Sequence, residues 1–259
     1  MGTTASPRIA VLLDQVETDY HLEILAGIRK ICARSGARLV IVAGGVLGQS
    51  FEARNFIYDI LPEAQFDGII VLAGCLSNHS GTDPLPAFLA PLRGKPVITL
   101  GVAVPDYPTV HVDNGFGVRK LIGHLIEVHR SSRIALLRGP HTSLESEARF
   151  AGYRAALESH GLALDHRLIV ETGLGREDGA RGVGTLLDER GFRPGTIDAI
   201  ACFNDEVALG AIEELHRRNI GVPQPIAVVG FDDEPVARVS NPPLTTVKQG
   251  AREQGEAAA

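Results

Sequence analysis

Short apolar runs and amphipathic segments alternate along almost the whole chain, and the alternation stops and restarts once near its middle. Few folds accept that pattern. Residues 8–13 form an apolar run that ends on Asp14. Residues 20–34 follow, with Leu22, Leu25, Ile28, Ile31 and Cys32 at helical spacing and Gly36 as terminator. Further runs at 38–43, 67–72 and 96–101 alternate with helical segments at 52–61, which Pro62 stops, and at 84–92. Strands covered on both faces read as continuous apolar runs, the mark of a parallel sheet with helices on either side. Around 110–113 the chain crosses out of this first sheet. Helices at 115–129, 144–159, 177–189 and 205–218 then alternate with strands at 133–137, 168–171, 198–203 and 226–230. The predicted fold is α/β, with two doubly wound parallel-sheet lobes. The first lobe is expected over residues 7–111 plus 250–259, and the second over 112–249.

Composition mainly excludes. A chain of 259 residues with 44% hydrophobic content can bury two such cores. The net charge of −6 and pI near 5.8 are not a nucleic-acid footprint. Arg29-Lys30 and Arg217-Arg218 read as solvated helix faces. Three widely spaced cysteines, Cys32, Cys75 and Cys202, show no metal-ligand spacing and fit a reducing, cytoplasmic setting. The first seven residues lack signal-peptide regions, and no apolar run approaches the roughly 18 residues of a membrane span.

Catalytic motifs are missing from the sequence. It holds no Gly-x-Ser-x-Gly elbow, no phosphate-binding P-loop and no His-Glu-x-x-His pair. Gly173, Gly175 and Gly179 have the wrong spacing for a dinucleotide loop. His124 and His129, five apart in a predicted helix, are not expected to share a face. No cofactor and no metal is therefore expected.

The polar groups at strand ends are more informative. Val228-Val229-Gly230-Phe231-Asp232-Asp233 is a buried strand running into two carboxylates. A strand-end carboxylate accepts hydrogen bonds from hydroxyl or ring N–H donors, and Asp233 reads more simply as a turn residue. Asn241-Pro242-Pro243 should be a stiff crossover between lobes, since proline fixes φ and pushes its predecessor toward extended geometry. Asn204-Asp205 opens a helix, where both side chains can serve as caps. Asn204 is the better ligand group, because its amide both donates and accepts. Asp113-Asn114 also precedes a helix, and capping or a hinge role is open there. Arg149, read from its neighbours alone, is a surface arginine paired with Glu145 or Glu147.

In this order the segments resemble the effector-binding core of the lactose/galactose repressor (LacI/GalR) family, which is similar in fold to type I periplasmic binding proteins. The resemblance rests on Val112-Asp113-Asn114, Arg138-Gly139-Pro140, Arg149-Phe150-Ala151-Gly152-Tyr153, Asn204 to Ala211, Phe231-Asp232-Asp233 and Asn241 to Gln249. It implies an interlobe cleft that holds a small polar metabolite, sugar- or nucleoside-like. It implies Asp14, Tyr20, Arg149, Asn204, Asp232 and Gln249 as ligand-binding residues, with Asp113, Asn114, Pro242 and Pro243 at hinges. It also implies a non-enzymatic sensor that signals as a homodimer, meeting DNA only through a separate domain. The chain begins almost directly on its first strand and stops soon after Gln249, so it reads as an excised sensor core. Residues 43–45, 54–59, 67–70, 112–114 and 124–129 resemble the branch fused to signalling modules instead of a helix-turn-helix. Thr18-Asp19-Tyr20-His21 departs from the family's Asn-Pro-Phe-like loop, and Gly101 stands where relatives place a polar group. The rival readings are a transport solute-binding protein and a small-molecule enzyme on the same kind of fold.

Overall fold

The computed structural model describes residues 6–48 and 52–259. Residues 1–5, most of the polar amino-terminal stretch, lie outside the described residues. In chain order the elements begin β1 (Arg8–Leu13), α1 (Asp19–Ser35), β2 (Arg38–Ala43), α2 (Glu52–Asn55), β3 (Gly68–Val71), α3 (Ala73–Ser77), α4 (Pro84–Leu89), β4 (Val97–Leu100) and β5 (Thr109–Val110). They continue α5 (Asn114–Glu127), β6 (Ile134–Arg138), α6 (Leu144–Ser159), β7 (Ile169–Glu171), α7 (Arg176–Gly184), β8 (Ala199–Cys202), α8 (Asp205–Arg217), β9 (Ala227–Asp232), α9 (Pro235–Val239), β10 (Thr245–Lys248) and α10 (Ala251–Ala258). Two compact units result. One holds the chain up to Val112 with Thr142–Glu145 and Gly250–Ala259, and the other holds Asp113–His141 and Ser146–Gln249.

The first unit is a five-stranded sheet in the order β2-β1-β3-β4-β5, parallel throughout. Successive side chains of a strand point to opposite faces. Ala10 and Leu12 therefore join Val42, Ile69 and Val71 in one core, while Val11 and Leu13 join Ile24, Ile28, Ile70 and Leu72 in the other. Full burial of Ile24 and Ile28 is worth about 1.5–3 kcal/mol each. α1 ends at Gly36, whose φ of 69° lets its N–H reach back to the Cys32 carbonyl. The buried face of α1 differs from the expected one. Leu22 is 49% exposed, and His21 takes the inward position at 5%. A histidine is tolerated there because both ring nitrogens have partners.

The second unit repeats the architecture, with strand order β10-β9-β8-β6-β7, again all parallel. Ile134, Leu136, Ala201 and Phe231 face α5 and α6, packing on Val118, Ile122, Tyr153 and Leu157. Leu137, Ile200 and Val228 face α7 and α8, packing on Val183, Ala208 and Ile212. In each sheet the strand order reverses beside the first strand: between β1 and β3 in one, between β6 and β8 in the other.

Pro242 and Pro243 do not cross between units. They join α9 to β10 inside the second unit, where β10 hydrogen-bonds to β9, and the chain leaves that unit only after Gln249. The β-branched run Thr245, Thr246, Val247 adds an edge strand, so the proline pair serves as its lead-in. The short helices α3 and α9, five residues each, have no visible period in the sequence. Residues 90–92 turn from α to 3-10 geometry beside Pro91, which lacks an N–H.

Candidate functional site

In the second unit the carboxyl ends of β6, β8, β9 and β10 carry polar side chains beside the β6/β8 reversal. Such a reversal point is where open α/β sheets hold ligands. The hub is Arg149, on the first turns of α6. Its neighbours in sequence do not hold it: Glu147 pairs with Arg138 instead. Arg149 is only 6% exposed. Nε donates to Asn114 Oδ1 at 2.8 Å, and Nη1 donates to the Phe203 carbonyl at 2.5 Å. Nη2 stands 3.6 Å from Asp232 Oδ1. The guanidinium lies against the rings of Phe203 and Phe231, 4.4 and 3.7 Å from their centroids, contacts worth about 0.5–2 kcal/mol each when desolvated.

Asp232 closes β9. Its carboxylate also accepts from Gln249 Nε2 at 2.5 Å. Gln249 follows β10 and is 8% exposed, so it is an interior group and not the exposed amide that its position in the chain would allow. The backbone at this corner is unusual. Asp232 has φ 121° and Asp233 φ 56°. The second value is tolerated by aspartate, whereas the first is strained for any L-residue. Strain of this kind costs on the order of 1–3 kcal/mol and concentrates at binding sites. Asp233 behaves as a turn residue, its carboxylate taken by Arg238 at 2.8 Å.

The roles of Asn204 and Asp205 divide differently from the expectation. Asn204 is the helix cap: Oδ1 accepts the Val207 N–H at 2.8 Å and Nδ2 donates to the Leu174 carbonyl at 3.0 Å. Its amide keeps one N–H for another acceptor. Asp205 is fully buried, with Oδ1 accepting from the Thr246 hydroxyl at 2.6 Å and Oδ2 from the Glu234 N–H at 2.9 Å. Burial pushes its carboxyl up to about 6, against the lowering effect of those two hydrogen bonds. Gly230 makes the room: a Cβ there would lie 2.2 Å from Asp205 Oδ1.

Asp113 caps α5 by accepting the Phe116 N–H at 2.8 Å. Asn114, expected at a hinge, is tied to Arg149 as described. Asp14 and Tyr20 belong to the first unit. Asp14 Oδ1 lies 2.9 Å from His21 Nε2, and Tyr20 packs edge-on to the His21 ring at 5.6 Å. Arg138 is the residue that sequence reasoning passed over. It ends β6, lies over the Phe150 ring at 4.6 Å, and buries its Nε with no hydrogen-bond partner among the described residues. Its place in Arg138-Gly139-Pro140, directly after an apolar strand, was the available signal. His124 and His129 also depart from expectation. α5 ends at Glu127, so His129 lies beyond the helix and its Nε2 comes within 3.2 Å of that of His124.

The two parallel sheets with polar strand ends define an α/β ligand-binding protein of the periplasmic-binding-protein type. The family model of the periplasmic binding protein-like domain matches residues 122–259, more than half of the chain. The chain belongs to that family, in the form carried by LacI/GalR-type regulators as their effector-binding domain. It is 28% identical over 256 residues to the HTH-type transcriptional repressor CytR of Escherichia coli (strain K12), covering 98% of this chain and 71% of that protein. It is 30% identical over 229 residues to the HTH-type transcriptional regulator AscG of the same strain, covering 88% and 65%. Among solved structures, a transcriptional regulator CelR–cellobiose complex superposes with TM-score 0.82 at 27% identity, covering 99% of this chain and 77% of the other. A sugar-binding LacI-family regulator from Escherichia coli, complexed with phosphate, gives TM-score 0.76 at 28% identity, covering 96% and 86%. These relatives are regulators of transcription and not enzymes. No helix among the described residues is long and apolar enough to cross a membrane.

Proposed function

We propose that this chain senses a hydroxyl-rich metabolite, sugar- or nucleoside-like, at the carboxyl ends of the second sheet, and that it turns nothing over. Arg149 offers N–H groups beyond those already engaged, Asp232 offers acceptors, and Gln249 and Asn204 offer amide groups. The observation that carries this reading is the Arg149–Asp232–Gln249 chain, held at a strained strand end beside the sheet's reversal point. A bound ligand shifts a conformational equilibrium only by its differential affinity for the two states. In this reading the shift passes through a homodimer to an output domain, in the cytoplasm. The likeness to a regulator whose structure is a cellobiose complex supports a sugar over a peptide or lipid.

The test is a thermal-shift screen against sugars, sugar phosphates, nucleosides and purines, since a ligand that binds only the native state raises the midpoint by mass action. A hit is then titrated calorimetrically into wild type, Arg149→Lys and Gln249→Ala. Each substitution is expected to weaken binding by about tenfold or more, equivalent to about 1.4 kcal/mol. A hit indifferent to both substitutions overturns the site. Chemical conversion of the hit overturns the non-enzymatic assignment.

A further inference from the structure

The first unit has its own strand-order reversal, between β1 and β3. Three side chains converge at its carboxyl end. Asp14 follows β1, His21 stands in the first turns of α1, and Cys75 lies in α3 just after β3. The parallel register that pairs Leu12 with Val71 brings the two strand ends side by side. One carboxylate oxygen, one imidazole nitrogen and the Cys75 sulfur all lie within 4.8 Å of one another, the one such group of three among the described residues. His21 is 5% exposed and Cys75 7%. The geometry points to a divalent-cation site here, with zinc as the best-matched ion, held by Asp14, His21 and Cys75.

Four features support it. The first is the donor set. Thiolate, imidazole and carboxylate are the three protein ligands zinc takes, and a site with three of them keeps one exchangeable position. The second is the spacing. Ligand atoms bound to one tetrahedral zinc at about 2.0–2.3 Å stand roughly 3.3–3.7 Å apart. Asp14 Oδ1 and His21 Nε2 are hydrogen-bonded at 2.9 Å and the three ligand atoms lie within 4.8 Å of one another, so an entering ion replaces that hydrogen bond: the Asp14–His21 pair opens by roughly half an ångström and the sulfur closes in. The third is the support behind the histidine. His21 Nδ1 lies 2.6 Å from Thr18 Oγ1. When Nε2 gives its lone pair to a cation, Nδ1–H donates to that hydroxyl, and this outer hydrogen bond fixes the ring as in most metal-bound histidines. The fourth is charge. A carboxylate and a thiolate neutralise a divalent ion, so the buried site carries no net charge when filled, and the thiol proton leaves as the ion enters.

All three ligands belong to the first unit. The whole chain, reduced and metal-free, is titrated with cobalt(II). A His124→Ala/His129→Ala background removes the exposed histidine pair as a competing half-site. One cobalt per chain is expected, with a near-ultraviolet thiolate-to-cobalt charge-transfer band that zinc abolishes by displacement. Cys75→Ser should remove the band and Cys32→Ala should leave it. Thr18→Val should weaken binding by about 10–100-fold. Should Cys75→Ser fail to fold, zinc protection of Cys75 from alkylation, read by peptide mass spectrometry in the background chain, decides the point. A folded chain with no thiolate band overturns the proposal, and so does a band that survives Cys75→Ser or a Cys75 that zinc leaves unprotected.

Discussion

Arg149→Ala is the substitution that most directly tests how the second unit is held together. The side chain donates to Asn114 Oδ1 and to the Phe203 carbonyl, neutralises Asp232, and fills the space between the Phe203 and Phe231 rings. Alanine leaves each of those partners in place without it. The Asp232 side chain, 10% exposed, cannot turn to water freely. Removing one member of a buried ion pair costs about 3–5 kcal/mol, because the other charge stays behind uncompensated. That range corresponds to roughly two to four decades in an opening equilibrium. Hydrogen exchange with mass-spectrometric readout is the suitable assay, since the chain has two compact units and a single melting curve need not report on either alone. Amides of β8 and β9 should exchange faster by those two to four decades, while those of β1 and β3 change far less. Arg149→Lys keeps the charge but loses the planar fork, and should cost about 1.5–3 kcal/mol, the worth of a charged hydrogen bond. If Arg149→Ala accelerates β8 and β9 by less than about tenfold, equivalent to about 1.4 kcal/mol, the guanidinium is not structural. The reading of this cluster as a pre-organised ligand seat then fails with it.

Other outcomes follow from the same contacts. A Cβ on Gly210 would lie 1.9 Å from the Arg176 carbonyl oxygen on α7, so Gly210→Ala should separate α7 from α8 and cost about 1–3 kcal/mol by urea unfolding. Tyr153 is 1% exposed and its hydroxyl donates to the Ile134 carbonyl at 2.8 Å, so Tyr153→Phe should cost about 1–3 kcal/mol for the orphaned acceptor. Asp205 has a folded pKa raised from 3.8 to about 6. The folded state therefore holds its proton more tightly, and stability falls as pH rises from the unfolded value to the folded one, by up to about 3 kcal/mol, then stays level. Asp205→Asn should abolish that descent, seen as a difference in unfolding free energy between about pH 4 and pH 7 that is smaller in the variant than in wild type.

The backbone plan was legible because its signals are local. An apolar run followed by a helical period needs no distant partner to be read, and the parallel sheets of both units follow from that alternation. Gly36 as the terminator of α1 and Asp233 as a turn residue were legible for the same reason: each expresses its own φ. Periodicity gave less guidance on the inward face of α1. A count of apolar residues favours Leu22, yet His21 is the buried one, because Asp14 and Thr18 satisfy its ring from outside the helix. The proline pair misled because stiffness alone does not say where the chain is going, and the pairing of β10 with β9 decides that.

Side-chain roles were harder to read because their causes lie far along the chain. The partners of Arg149 are 35 and 54 residues away, while Glu145 and Glu147 stand beside it in sequence. Local reading therefore assigns the guanidinium to the surface, and only the fold brings Asn114 and Phe203 to it. The same reasoning separates Asn204 from Asp205. Adjacent residues with similar side chains both suit a helix cap, and the choice falls to the one whose alternative is worse. Asp205 faces Gly230, where the missing Cβ opens a buried seat furnished by Thr246 and the Glu234 N–H. Asn204 faces Val207 and Leu174, which use both ends of its amide. Exchanging the two, as Asn204→Asp with Asp205→Asn, places a carboxylate against the Leu174 carbonyl, where a hydrogen bond is lost and a repulsion gained. At 205 the amide oxygen can keep the Glu234 N–H only by turning its N–H₂ to Thr246 Oγ1, whose hydroxyl must then switch from donor to acceptor, although composition and helix propensity are unchanged. A stability loss near that of a surface swap, within about 0.5 kcal/mol, would show that the two positions are interchangeable caps after all.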